Sequence, residues 1–258
     1  MTATSTTSPF APAPGAAPVG RMFLAQTGIE LRLLMRNGEQ VMLTLVIPLF
    51  LLFFFNLPLL YSLGGPRIDF VVPSILALAV MSSAFTGLAI GTGFERKYGV
   101  LKRLGATALP RSVLITGKTS AVLILEAVQI VLICGLGFIL GWQPQGDPLW
   151  PVLLIVIGTA AFGGLGLLVA GTLRAEVTLA AANLIWLILL FCGGIAIPLD
   201  KFPPGLASVL RLLPSAALSD GLHLVLQHGS GPPVRALVTL LAWTAFAVPA
   251  AARWFRWE

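Results

Sequence analysis

Six windows of apolar sequence, at residues 41–60, 70–94, 119–141, 149–173, 177–198 and 236–252, leave this chain few folds to choose from. About 20 apolar residues in helical form cross a hydrocarbon core roughly 30 Å thick. Each unpaired backbone amide in lipid costs several kcal/mol, so such windows must satisfy their amides internally, as helices. With 57% of residues apolar and only 10% charged, there is too little polar surface to clothe a soluble fold of this length. The sequence therefore predicts an all-α integral membrane protein with six transmembrane helices.

Residues 1–20 are Thr, Ser, Pro and Ala without a charge, a composition that predicts a disordered tail and lacks the basic start of a secretory signal. Residues 21–38 turn helical in pattern. Phe23, Leu24, Leu31, Leu34 and Met35 share one stripe, and Arg21, Arg32 and Arg36 cluster on another side. This suits an amphipathic helix lying at the membrane interface; the alternative is a downward extension of the first span. Residues 39–258 then form the transmembrane domain.

Orientation follows from the basic residues. An inside N-terminus places Arg21, Arg32, Arg36, Arg96, Lys97, Lys102, Arg103, Arg111, Lys118, Arg174, Arg253 and Arg256 in the cytoplasm, against Arg67, Lys201, Arg211 and Arg235 outside. That bias puts both termini and the charged stretch 95–118 on the cytoplasmic side. It also accounts for the net charge of +6 without a nucleic-acid partner, because the basic residues flank membrane segments and form no basic face of a soluble domain.

Residues with chemical potential are sparse. Cys134 and Cys192 fall inside spans and read as small apolar residues, while His223 and His228 have no Cys or carboxylate at metal-ligand spacing, so no metal site is expected. Residues 112–119, SVLITGKT, imitate a phosphate-binding loop, but Ser112 stands where the first glycine is needed, no strand precedes it, and a span follows at once. Lys118 is read instead as a boundary residue reaching into the headgroups. With no nucleophile elbow or paired carboxylates either, the chain is read as a non-enzyme.

Glu126 is the exception within the spans. A charge near mid-membrane costs on the order of 2 to 4 kcal/mol, so the group should face protein or water. Gln129 lies one turn on, making the two candidates for a substrate path; the competing reading is a hydrogen bond to a neighbouring helix. Span four is crowded with Gly158, Ala160, Ala161, Gly163, Gly164, Gly166 and Gly171, which suits close packing or a hinge. Trp142, Trp150, Trp254 and Trp257 suit interfacial belts. Residues 199–231 are too polar and Pro-interrupted for a full span and read as two short helices dipping from the outer face, joined near Pro214.

Two stretches carry a resemblance. Glu95, Arg96, Gly99 and Leu101 to Leu104, followed by Ala106, Thr107, Leu109, Pro110, Gly117 and Lys118, are similar to an E-R-x-x-G-T-L-x-x-L…A-T-P-L…G-K signature. Phe202, Pro203, Leu206, Leu210, Leu213 and Pro214, with Ser219 to Leu222, are similar to an external hairpin before the last span. Together they resemble the permease subunit of ABC-2 type exporters, in the branch of daunorubicin-resistance and related drug-efflux permeases. Val100 stands where Thr is usual and Ala108 where Pro is usual.

The resemblance implies a division of labour. The permease holds the translocation path in a bacterial inner membrane and binds no cofactor itself. A separate cytoplasmic ATPase, carrying ATP and Mg, engages a short coupling helix in the first cytoplasmic loop. Two permeases, identical or different, meet mainly through spans one and five. Phe202, Pro203 and Pro214 belong to a re-entrant hairpin that helps close the external exit. Glu95 to Leu104 is then expected to form one docked helix in which Gly99 allows close approach. Leu101 and Leu104 would enter a groove on the ATPase, while Arg96, Lys97, Lys102 and Arg103 meet its acidic rim or anionic lipid. The implied activity is export of amphipathic small molecules, drug-like or lipid-like. Export of a lipid-linked glycan or envelope lipid, and proton-coupled secondary transport through Glu126, are the alternatives.

Overall fold

The computed structural model describes residues 16–57 and 67–254, and every regular element among them is helical. Residues 1–15 of the expected tail, residues 58–60 of the first window, and Arg256 with Trp257 lie outside the described residues. Helix α1 (Val19–Arg36) starts after Pro18, and α2 (Gly38–Phe55) follows after the single residue Asn37. Then α3 (Arg67–Val80), a π-helical stretch (Met81–Gly87) and α4 (Leu88–Lys97) run on as one long helix. The short α5 (Val100–Gly105) leads to α6 (Arg111–Ile139), α7 (Leu149–Thr172) and α8 (Ala175–Cys192). A 3-10 turn (Leu199–Lys201), α9 (Pro204–Leu210), α10 (Pro214–Leu226) and α11 (Val234–Trp254) complete the chain.

Among the described residues, five helices are long and apolar enough to cross a membrane: Ile68–Lys97, Arg111–Ile139, Leu149–Thr172, Ala175–Cys192 and Val234–Trp254. The expected first span corresponds to α2, whose apolar part, Thr44–Phe55, is shorter. The expected hairpin corresponds to α9 and α10, which meet at a bend of 98°. The bend has a local cause. Pro214 takes the first position of α10 and holds Leu213 extended, at φ −69° and ψ 145°, so α9 cannot continue through it. Pro203 and Pro204 start α9 in the same way.

Ile68–Lys97 is the central helix. Most of its apolar window is buried, whereas α8 and α11 expose most of theirs. Val72, Leu76, Met81 and Phe85 along it pack in one core with Leu154 and Phe162 of α7, Leu218 and Leu222 of α10, and Leu240 of α11. The small residues of α7 make this packing close. Gly158 faces Leu218, Gly163 faces Thr119 and Leu88, Gly164 lies against the Ala247 backbone, and Gly166 lies under the carbonyl of Phe85. Trp142 departs from the expected belt: it is buried against Gly137 and stacks obliquely on Phe138 at 5.3 Å.

The bundle has two distinct ends. Near one lie the turn between α6 and α7 and the end of α10, joined by the Gln145 amide to the Leu226 carbonyl at 3.0 Å. At the other, α1, the end of α4, α5, the start of α6, the α7–α8 junction and the end of α11 come together through the contacts described next.

Candidate functional site

Helix α4 ends at Lys97, and Gly99 adopts φ +72° and ψ 12° before α5 begins. The expected single helix from Glu95 to Leu104 is therefore two helices with a left-handed hinge residue between them. Gly99 is required for its backbone conformation and not for close approach, since a Cβ added there would meet nothing within 4 Å. After α5 the Thr107 hydroxyl donates to the Leu104 carbonyl and accepts the Leu109 amide at 3.3 Å, and Pro110 stands extended before α6. The A-T-x-L-P run is thus a turn that reverses the chain.

Leu101 has no exposed surface. It is enclosed by Leu114 and Ile115 of α6, Leu167 of α7 and Ala251 of α11, with Leu104 and Leu109 packed at the edge. The groove-docking expected of Leu101 is unavailable to a side chain already used inside its own chain; what it does is fasten α5 to three spans. The outward side of the segment presents Tyr98, 69% exposed, with Val100, Lys102 and Arg103.

The residues just before Gly99 hold the neighbouring spans. Arg96 donates through Nη2 to the carbonyl of Leu173, the residue that ends α7. The Thr178 hydroxyl donates to that carbonyl too, at 3.2 Å. A cation suits this place, because the last carbonyls of a helix lack amide partners and carry its negative pole. Lys97 pairs with Glu176 of α8 at 2.5 Å, but both side chains are well exposed, so the pair contributes little.

Glu95 turns inward. Lys118 Nζ lies 2.6 Å from its Oε2 and 2.8 Å from Glu30 Oε1 on α1, and Lys118 is only 2% exposed. The Gln26 amide donates to the same Glu30 oxygen at 2.7 Å. Lys118 therefore does not reach for headgroups; it is a buried cation bolting α1, α4 and α6 together. The neighbouring Gly117 allows this, as a Cβ there would come within 2.8 Å of Gln26 Cγ. Residues 112–119 form part of a continuous helix, with the lysine occupied by carboxylates.

Glu126 and Gln129 are both buried but turn to different partners. Ser83 of the π-helical stretch and Thr159 of α7 donate to the two Glu126 carboxyl oxygens at 2.8 and 2.5 Å. Gln129 donates instead to the Thr44 carbonyl of α2 at 2.7 Å. Glu126 thus ties three helices at the point where the central one is π-helical, an irregularity often found at functional sites. Replacing it with Ala should destabilise the protein by about 1–3 kcal/mol, because the tie between three helices is lost and a buried void is left, while the Ser83 and Thr159 hydroxyls fall back on the Ala79 and Ile155 carbonyls of their own helices. Glu126→Gln should retain most of the stability; thermal unfolding of both in detergent checks this.

At the opposite end an open cavity of about 740 Å³ is lined by Phe70, Asp200, Arg211, Asp220, His223 and Arg235, among others. His223 stacks on Phe70 at 4.6 Å and lies 3.0 Å from the Ser74 hydroxyl. Of the hairpin residues, Pro214 is buried, Phe202 half-buried and Pro203 exposed, and Leu206, Val209 and Leu212 point outward.

Sequence comparison agrees with this architecture. A family model described as ABC-2 family transporter protein matches residues 67–253, from α3 to α11. YvfS of Bacillus subtilis (strain 168), which carries a transport-permease name, is 23% identical over 228 residues, covering 84% of this chain and 90% of its own. DrrC of Mycobacterium tuberculosis, which carries the name of a doxorubicin resistance ABC transporter permease protein, is 26% identical over 266 residues, covering 95% and 92%. Matched from α3 to α11 and built of the apolar helices of a multi-pass protein, the chain belongs to the ABC-2 family of transporter proteins, whose members are membrane permeases.

Proposed function

We propose that this chain is the permease of an ATP-driven exporter that moves amphipathic small molecules, drug-like or lipid-like, out of the cytoplasm or the inner leaflet of a bacterial inner membrane. A separate ATPase subunit, holding ATP and Mg, supplies the energy. The observation that carries this reading is the segment from Tyr98 to Leu104, fastened on one side by Leu101 and presenting Tyr98, Lys102 and Arg103 on the other. A segment fixed to α6, α7 and α11 at once transmits a push from outside into tilting of spans, which a loose loop does not. The drug-like cargo is supported by the doxorubicin-resistance name of DrrC. A second permease is accommodated by the outward faces of α2, with Phe50, Phe53 and Phe54, and α8, with Leu184, Leu187, Ile188 and Phe191.

Both termini lie in the cytoplasm on this reading, and Glu126 and Gln129, each bonded to a neighbouring helix in this structure, border the path from the side of α6 when those helices part. Co-reconstitution with the cognate ATPase tests the proposal. Transport of an anthracycline-type probe should require both subunits, and hydrolysis should respond to the permease. Arg103→Glu, a reversal on the exposed side of α5, should lower coupled transport by about tenfold or more while leaving the protein folded, because a like charge at a docking rim costs several kcal/mol. Transport without an ATPase, or hydrolysis indifferent to the permease, overturns the reading.

A further inference from the structure

Helix α1 has two unlike faces. Gln26, Thr27 and Glu30 are its buried residues, and they point at α6. At 3.6 residues per turn, Arg21, Arg32 and Arg36 fall on the side directly opposite. All three are exposed, with Leu24 and Met35 exposed along one flank and Ile29 and Leu33 along the other. The helix therefore does more than cover the bundle: inward it packs Gln26, Thr27 and Glu30 with the half-buried Phe23 and Leu34, and outward it carries apolar residues on both sides of a basic centre.

Such a face matches one surroundings well. Apolar flanks enter the acyl boundary of a bilayer while guanidinium groups pair with phosphates at headgroup level. An acidic protein groove would satisfy the arginines but would not call for apolar residues on both sides of them. The buried side of the same helix ends in the Glu30–Lys118–Glu95 cluster, two residues from Lys97 and four from Gly99.

We propose that the outward face of α1 is a docking surface for anionic phospholipid headgroups, and that the Glu30–Lys118–Glu95 cluster carries this engagement to the segment around Gly99. Lipid composition then sets how firmly the coupling segment is held. The inference rests on the proposed placement of the chain in a bilayer, but its test needs neither an ATPase nor a substrate.

The purified permease is mixed in detergent with phosphatidylglycerol or phosphatidylcholine, and retained lipid is measured by native mass spectrometry. Three arginines at an anionic surface should favour phosphatidylglycerol on the order of a hundredfold at low salt, and the preference should shrink as salt rises. The variant with Arg21→Gln, Arg32→Gln and Arg36→Gln should retain the two lipids alike; an undiminished preference overturns the docking surface. A preference abolished by equimolar inorganic phosphate would mark a free-anion site and overturn it as well. Hydrogen exchange of residues 98–106 reads the second half. Phosphatidylglycerol should slow it in the parent protein, and Glu30→Gln should keep the lipid preference while losing the slowing. Glu30→Asp, which shortens the reach to Lys118, serves the same purpose should Glu30→Gln fail to fold. Slowing that persists in a folded variant shows that the cluster does not carry the signal.

Discussion

Lys118→Met is expected to cost about 3–5 kcal/mol of stability, enough to deplete the folded protein from the membrane. The ammonium is 2% exposed and lies within 3 Å of carboxyl oxygens on both α1 and α4. Without it, Glu30 and Glu95 face each other inside the protein as two like charges with no counterion. Taking charges out of water is costly, and removing one partner leaves that cost standing without the attraction that offsets it. The same reasoning predicts a rescue. Neutralising the carboxylates too, with Glu30→Gln and Glu95→Gln added to Lys118→Met, should recover most of the loss. Lys97→Met, which removes an exposed pair with Glu176, should change stability by less than about 1 kcal/mol. Unfolding midpoints of the three variants in one detergent decide the matter; a Lys118→Met protein as stable as its parent would mean that the cluster does not bind α1 to the bundle.

The ion cluster is also the part of the site that no sequence pattern displays. The membrane class was legible because an apolar window of span length has no other stable form, and the bend at the hairpin was legible because proline chemistry is local. Lys118, by contrast, is 23 residues from Glu95 and 88 from Glu30, and no period connects such positions. From sequence alone a lysine at the edge of a span reads as an interfacial one. Leu101 shows a different limit: its apolar character said that it would be buried, but not whether its own chain or a partner would bury it. Close approach is what the sequence suggests for Gly99, whereas the structure uses its left-handed backbone, because a positive φ is a property of the turn and leaves no trace in composition. Glu126 announced itself as a polar residue in lipid, while its partners Ser83 and Thr159, on two other helices, are ordinary residues until the fold brings them together. The π-helical stretch had no sequence signal at all.

The π-helical stretch is tightly held by its neighbour α7. Gly166 of α7 lies so close to it that a Cβ would stand 2.6 Å from the Phe85 carbonyl oxygen and 3.2 Å from that of Ala84. Both are backbone atoms of the π-helical turn, which cannot rotate away as a side chain can. Gly166→Ala must therefore push α7 and the central helix apart, and overpacking of this kind costs about 1–3 kcal/mol. The displacement separates the two helices that carry Ser83 and Thr159, so it also pulls on the two hydrogen bonds of Glu126. Two other glycines calibrate the result. At Gly158 the added methyl would meet only the end of the Leu218 side chain at 3.3 Å, and a small change is expected; at Gly135 it would meet nothing within 4 Å. Gly135→Ala should be neutral or mildly stabilising, by up to about 1 kcal/mol, because Ala is the better helix former. If small residues in α7 serve close packing, stability should fall in the order Gly135→Ala, Gly158→Ala, Gly166→Ala, with transport falling alongside it. If Gly166 is a hinge instead, Gly166→Ala would keep its unfolding midpoint and lose transport alone, and the close contact with the Phe85 carbonyl would have to open during the cycle.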